Sequence, residues 1–423
     1  MKLIIYWFRN DLRVKDNPGF FQACADGDCL LPIVINNPQN NEITEWGFER
    51  VGRHRRQFQL ESYQDLKAIL QTLGSDLYLC NGTTGEIFAD LAAMYKDFVI
   101  YCQQIEAPEE KAEIQMLREL GIVVREFWQS SMLDPEALPF KLEQMPDVFT
   151  EFRKHVEASK LFYAVPFDAP TSLPRLPKIL PDEPVITWDF NSSEILAFKG
   201  GARASETHID QYFLRRLPDT YKQTRNQLMG MDFSSKFSPW LACGCCSARS
   251  IAHRLKMYEE KHGANDGTYW LWFELLWRDY FEFLPFKYGN RLFHGQGLTI
   301  KPAKAFNLRL FEQWSTGKTS NSFINAGMNE LAETGFMSNR MRQIVASYWI
   351  YDMNGDWRAG AAWFESQLID YDVYSNQGNW LYISGHGMDP RGGRPFNADK
   401  QAREYDPDGT YRSRWLNMTS RLI

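Results

Sequence analysis

Met1-Lys2-Leu3-Ile4-Ile5-Tyr6-Trp7-Phe8-Arg9 opens the chain. The run lacks the longer apolar core and small-residue cleavage site of a secretory leader, so it reads as a first buried strand, with the mature fold expected to begin at once. Similar β-rich runs recur at 29–35, 76–80, 97–101 and 122–127, separated by helical stretches of which 46–73 is the longest. That alternation predicts a parallel, Rossmann-like sheet with helices on its faces. Gly74 and Gly121 fall where helix-ending glycines belong. No G-x-G-x-x-G follows the first strand, so this half offers no dinucleotide site of the usual Rossmann kind.

Downstream the pattern changes. Pro166, Pro170, Pro174, Pro177, Pro181 and Pro184 punctuate a stretch that can be neither continuous helix nor central strand. From about residue 205 the apolar period is helical and stays so. The expected organisation is an α/β domain over 1–133, an interdomain connector over 134–204 and a larger all-α domain over 205–423. A length of 423 residues agrees, being too great for one ordinary core.

Composition excludes some classes and leaves others open. No apolar run approaches the ~20 residues of a membrane span, and 44% apolar with 24% charged residues is a globular balance, so a soluble protein is expected. Cys243, Cys245 and Cys246, among seven cysteines, match neither a zinc pattern nor a disulfide framework, which favours reduced thiols and a cytoplasmic location. A net charge of −6 decides nothing about nucleic acid, because phosphate affinity follows local basic clusters. The aromatic content of 15% is high, and a generously packed core accounts for most of it.

Three segments carry chemistry. Ser234-Ser235-Lys236-Phe237-Ser238-Pro239-Trp240 sets hydroxyls and an ammonium before a helix expected to start with Ser238 as N-cap and Pro239 at N1, which suits either a pyrophosphate cradle or a plain capped helix. The 268–284 helix is apolar nearly all round yet carries Glu274, Trp277 and Arg278 on one face. Such a carboxylate must be partnered, so the choice is between an internal Glu274–Arg278 ion pair and the wall of a polar cavity. A further helix after Gly335 (335–351) carries Asn339, Arg340, Arg342 and Gln343, and is followed by Asp370-Tyr371-Asp372, whose Asp-x-Asp spacing lacks the rest of a calcium loop.

Phe8-Arg9-Asn10-Asp11-Leu12-Arg13 with Asp16-Asn17-Pro18, the run Tyr221 to Asn226, the Ser234–Trp240 segment, Glu274-Leu275-Leu276-Trp277-Arg278-Asp279, the run Met337 to Ser347, and Tyr371-Asp372 through Trp380 together resemble the motifs of the photolyase/cryptochrome superfamily, in its order. Asp389-Pro390-Arg391, Phe396-Asn397, Lys400-Gln401-Ala402 and Tyr405 to Gly409 resemble its DASH branch. The resemblance implies FAD folded inside the helical domain, with Tyr221, Ser234, Ser235, Lys236, Phe237 and Ser238 around the phosphates. Arg342 would pair with Asp370, Asp372 would accept from the flavin or adenine edge, and Asn376 would face flavin N5. Arg278 and Asn339 belong to the same flavin-side set.

The resemblance also implies light-driven splitting of a cyclobutane pyrimidine dimer flipped into a cavity above FAD. Glu274, Trp277 and Asn339 would be catalytic, and Arg340, Gln343 and Tyr382 would complete the substrate pocket. Gln343 and Tyr382 are DASH-like choices that make the pocket more polar and favour single-stranded DNA. Trp380 and Trp357 match the inner and middle members of the family's electron-transfer chain. The outer tryptophan, expected near residue 304, is absent, with Lys304 and Phe306 in its region and Tyr348, Trp349 or Tyr351 as substitutes. Asn325, in the run Thr319 to Asn325, also departs from the family pattern. Glu106 falls where a folate antenna such as methenyltetrahydrofolate would sit, although a charge at a helix entry explains it as well. A monomer is expected.

A blue-light photoreceptor with weak or no repair activity is the alternative, against which no tail after Ile423 reads as a signalling segment. A 6-4 photolyase is disfavoured, because neither His294 nor His386 lies at the start of the 337–351 helix.

Overall fold

The computed structural model describes residues 2–181 and 198–418. Five strands, β1 (Leu3–Phe8), β2 (Cys29–Asn36), β3 (Tyr78–Asn81), β4 (Phe98–Gln103) and β5 (Val123–Phe127), form one parallel sheet in the order β3-β2-β1-β4-β5. Every residue of β1 is buried, with Ile5 paired to Leu31 on one side and Ile100 on the other. A central parallel strand is covered on both faces, which is why its sequence is a continuous apolar run and not an alternation. Helices α1 (Pro18–Asp26), α2 (Arg53–Thr72), α3 (Thr84–Met94) and α4 (Pro108–Glu119) connect the strands. Gly74 and Gly121 have φ of 77° and 78°, left-handed positions that close α2 and α4.

The expected 46–73 helix starts only at Arg53. Gly52 donates its N–H to Ser366 O (2.8 Å), and that seat on the helical half holds the preceding residues out of the helix. After β5 come α5 (Phe149–Ser159) and a stretch that returns along the sheet, where Leu30 N–H donates to Arg175 O (3.1 Å). The connector therefore adds a bridge to β2. Pro184 lies outside the described residues.

The helical half comprises α6 (Ala202–Leu214), α7 (Tyr221–Thr224), α8 (Ser238–Ala242), α9 (Ala248–His262), α10 (Asp266–Tyr288) and α11 (Leu308–Ser315). It continues with α12 (Ser322–Thr334), α13 (Asn339–Ser347), α14 (Trp357–Gln367), α15 (Val373–Ser384), α16 (Ala398–Tyr405) and α17 (Thr410–Met418). Asn265 caps α10 by accepting from Gly267 N–H (2.8 Å) and Thr268 N–H (3.1 Å). Two expected starts shift. Ser238 is the first residue of α8 and not its cap, because Phe237 before it is already in the right-handed helical region and no side chain caps this end. The 335–351 helix begins at Asn339, where Ser338 accepts from Met341 N–H, and ends in a π-turn over Tyr348–Asp352.

The halves are joined at the carboxyl end of β1. Asp11, wholly buried, accepts from Tyr6 Oη (2.6 Å), Arg9 N–H (2.7 Å) and Gln129 Nε2 (2.7 Å). Arg13 donates to the carbonyls of Asp16, Gly244 and Gln129, each at 3.0 Å. Asp16, also wholly buried, pairs with Arg249 of α9 at 3.0 Å. Gly244 is required at this seam, since its φ is +72° and a Cβ there would lie 2.0 Å from Asn10 O. No helix among the described residues is long and apolar enough to cross a membrane.

Candidate functional site

Helices α13, α14 and α15 line a hollow of about 490 Å³ that opens to solvent. Its wall is fixed by backbone chemistry first. Asp372 caps α15 by accepting from Ser375 N–H (2.7 Å), which places Asp370 and Asp372 together at the cavity edge. Arg342 of α13 donates through Nε to Met337 O and through Nη2 to Asp370 Oδ2, both at 2.8 Å. Asp370 Oδ1 is buried with no partner. Asn376 donates to Ala361 O (3.0 Å), and Trp380 lies against Gly360, where a Cβ would come within 2.2 Å of the indole. Asn339 and Gln343 complete this wall.

The Ser234–Lys236 loop lies beside it. Ser234 and Lys236 adopt φ of 63° and 57°, a left-handed conformation uncommon for residues with side chains and the kind that turns backbone N–H groups to one side. The Tyr221 phenol lies close to Ser234, and His208 holds Ser235 O at 2.9 Å. Lys236 is 6% exposed and makes no ion pair among the described residues. Burial lowers its ammonium from the usual lysine range to about 8, with Glu330 opposing. The Lys236 and Arg342 charges each lie 5.1 Å from the Phe336 ring, so two cations share one corner. Phe237 packs in the core and Ser238 lies within α8.

An unsatisfied buried carboxylate oxygen, a strained loop and a buried cation lacking a counter-ion fit a ligand with hydrogen-bond donors at one end and phosphates at the other. FAD has that chemistry.

On α10 the expected Glu274–Arg278 ion pair does not form. Glu274 pairs with Arg225, not with Arg278. Arg278 instead takes Glu282, its own i+4 neighbour, at 2.8 Å and donates to Ser130 O (2.7 Å), so its guanidinium is turned away from Glu274 and does not line the cavity. Desolvation raises the Glu274 carboxyl above the usual carboxylate range, against the pull of Arg225. Trp277 stacks on Phe149 with centroids 3.6 Å apart, and Tyr382 meets its other neighbourhood at 5.9 Å, itself hydrogen-bonded by Arg394. Arg340 reaches Gln343 (3.1 Å) and Asn226 (3.2 Å), leaving a buried Nε without a partner. Sequence reasoning missed Arg225 as the partner of Glu274, although it stands in the quoted Tyr221–Asn226 run.

Trp380 contacts Trp314 at 6.4 Å, and Trp314 stacks on Trp349 at 5.4 Å. Trp357 donates to Gly295 O (3.1 Å) and faces His386 at 6.0 Å. Lys304 donates to Ile350 O, and Asn325 accepts from Thr319. Glu106 bonds Gln104 (2.7 Å) and Lys111 (2.8 Å), and its backbone N–H donates to Tyr374 Oη, so it lies on the seam with α15. No cluster of metal-ligating side chains occurs among the described residues.

Residues 4–174 match the DNA photolyase family model, and 270–422 match the FAD binding domain of DNA photolyase. The chain is 42% identical to the cryptochrome DASH of Gloeobacter violaceus over 98% of its length and 85% of that protein. To the cryptochrome DASH of Xenopus laevis it is 41% identical, over 98% of this chain and 82% of the other. A solved Synechocystis cryptochrome superposes with a TM-score of 0.92 at 40% identity, covering 99% of this chain and 89% of the other. A class III photolyase from Agrobacterium tumefaciens gives 0.80 at 26% identity, covering 99% and 87%. With a parallel sheet, a helical FAD-binding domain and near-full-length relatives of this kind, the chain belongs to the photolyase/cryptochrome family, on its cryptochrome DASH branch.

Proposed function

We propose that the protein is an FAD-dependent, blue-light-driven lyase that splits cyclobutane pyrimidine dimers and prefers them in single-stranded DNA. The observation that carries this reading is one face of α10, where Glu274 and Trp277 stand one turn apart with a half-buried carboxyl and a flat ring.

Arg342, Asp370, Asp372 and Asn376 would hold the flavin end of FAD, and Lys236 with the Ser234–Ser235 loop its phosphates. Bound in its reduced form, FAD would supply light-driven one-electron chemistry with no net oxidation or reduction over the cycle.

The protein's own part is binding, orientation and charge. Trp277, braced by Phe149 behind it, presents one ring face to an extruded pyrimidine pair. Glu274, a desolvated carboxyl held by Arg225, would hydrogen-bond the edge of the pyrimidine pair. Asn339 offers an amide to the other edge. Arg340 and Arg225 meet phosphates, so binding weakens with salt. Tyr382 and Gln343 keep the pocket polar, which repays little of the cost of unpairing a duplex.

Illuminating the reduced protein with ultraviolet-damaged single- and double-stranded oligonucleotides, and following the return of thymine absorbance, tests the reading. Glu274→Ala is expected to cut the repair yield while the yellow colour persists. Absence of repair on both substrates with FAD bound would favour a photoreceptor, as would the Arg225 contact if it keeps Glu274 from the substrate. Glu106 at the seam supports a folate antenna, to be sought in the absorbance spectrum of the purified protein.

A further inference from the structure

Two tryptophans on α10 have opposite surroundings. Trp272 is 8% exposed and donates from its indole nitrogen to Phe162 O (2.9 Å), a core arrangement. Trp270 is half-buried, makes no hydrogen bond through its indole among the described residues, and lies one turn from Glu274 on the same face. The Arg225 guanidinium covers its ring at 4.5 Å while also holding Glu274. Phe273 adjoins it at 4.5 Å, with the Arg153 guanidinium 5.7 Å from that ring and donating to Tyr269 Oη (3.2 Å).

The same pairing recurs nearby. Arg394 lies 4.8 Å over Tyr382, and Arg340 lies 5.2 Å over Tyr405. Rings backed by guanidinium groups offer a face to any base and a charge to its phosphate, which is the composition of a single-strand track. A base inside a duplex is stacked on both sides and has no face to give.

We infer that Trp270, with Arg225, forms a stacking platform for one unpaired base adjoining the lesion, a subsite that selects single-stranded substrate. The inference rests on the repair reading for the position of the lesion, but its test separates the two. The probes are a single strand carrying one dimer, the same strand with an abasic residue next to the dimer on one side or the other, and the corresponding duplex.

Wild-type protein is expected to bind one of the abasic strands about tenfold more weakly than the intact strand. Trp270→Leu should bind the intact strand at that same reduced level, lose nothing further on the abasic strand, and leave duplex binding nearly unchanged. Trp270→Phe should keep most of the affinity. Flavin absorbance reports that each variant is folded. Equal wild-type affinity for intact and abasic strands overturns the inference, and so does a Trp270→Leu variant that still pays the abasic penalty. Dimer splitting without the penalty sinks the platform alone, whereas the penalty without splitting sinks the repair reading and leaves the platform standing.

Discussion

The seam between the halves and the cavity between α13 and α15 are both built from buried charges, yet they are finished differently. At the seam, Asp11 has its acceptors filled, Arg13 spends its donors on three carbonyls, and Asp16 is paired with Arg249. At the cavity, Asp370 keeps one oxygen unfilled, and beside it Lys236 is buried without an ion-pair partner among the described residues. A closed network holds the molecule together, and an open one waits for a ligand. Charge and burial alone do not distinguish them. Completeness does.

The contrast breaks most visibly at the seam. Asp16→Ala strands Arg249 in the interior and should cost about 3–5 kcal/mol, read as a lower urea midpoint. Asp370→Asn at the cavity should weaken FAD binding to the apoprotein by about tenfold to a hundredfold, the value of a charge-assisted hydrogen bond, with a smaller change in the unfolding midpoint.

Lys236 adds a pH signature. Burial pushes its ammonium down to about 8, and a bound pyrophosphate would raise that value. FAD affinity should therefore be level below about pH 8 and fall as pH rises above it. Titration of apoprotein by flavin fluorescence at several pH values checks the sign, and Lys236→Met should flatten the profile. The smallest effect concerns caps. Asn265→Ala should cost about 1 kcal/mol, whereas Ser238→Ala should stay within about 0.5 kcal/mol in the apoprotein, because only the former side chain holds helix-end N–H groups.

The sheet was legible because β1 is buried on both faces and reads as an unbroken apolar run with glycines marking the ends of α2 and α4. The site was legible only in part. Spacing placed Glu274, Trp277 and Arg278 along one helix, α10, but spacing cannot rank partners. Glu282 outcompeted Glu274 for Arg278, and Arg225, on α7's far side in sequence, took the vacated carboxylate. The Phe8–Arg13 motif with Asp16 reads as a signature, yet the partners Gln129, Gly244 and Arg249 are more than a hundred residues away, so its work as a fastening was invisible in one dimension. Ser238 looked like a cap because Ser-Pro is a common helix opening, and the preceding backbone had already turned.

The fit of Gly244 onto Asn10 and Asp11 bears on how the molecule can be dissected. A polypeptide severed in its connector would remain a single particle, since each fragment carries half of a fastening that the other completes. Either fragment made alone would expose a charged scar, Asp16 on one and Arg249 on the other, and should recover its solubility only when the missing piece is supplied.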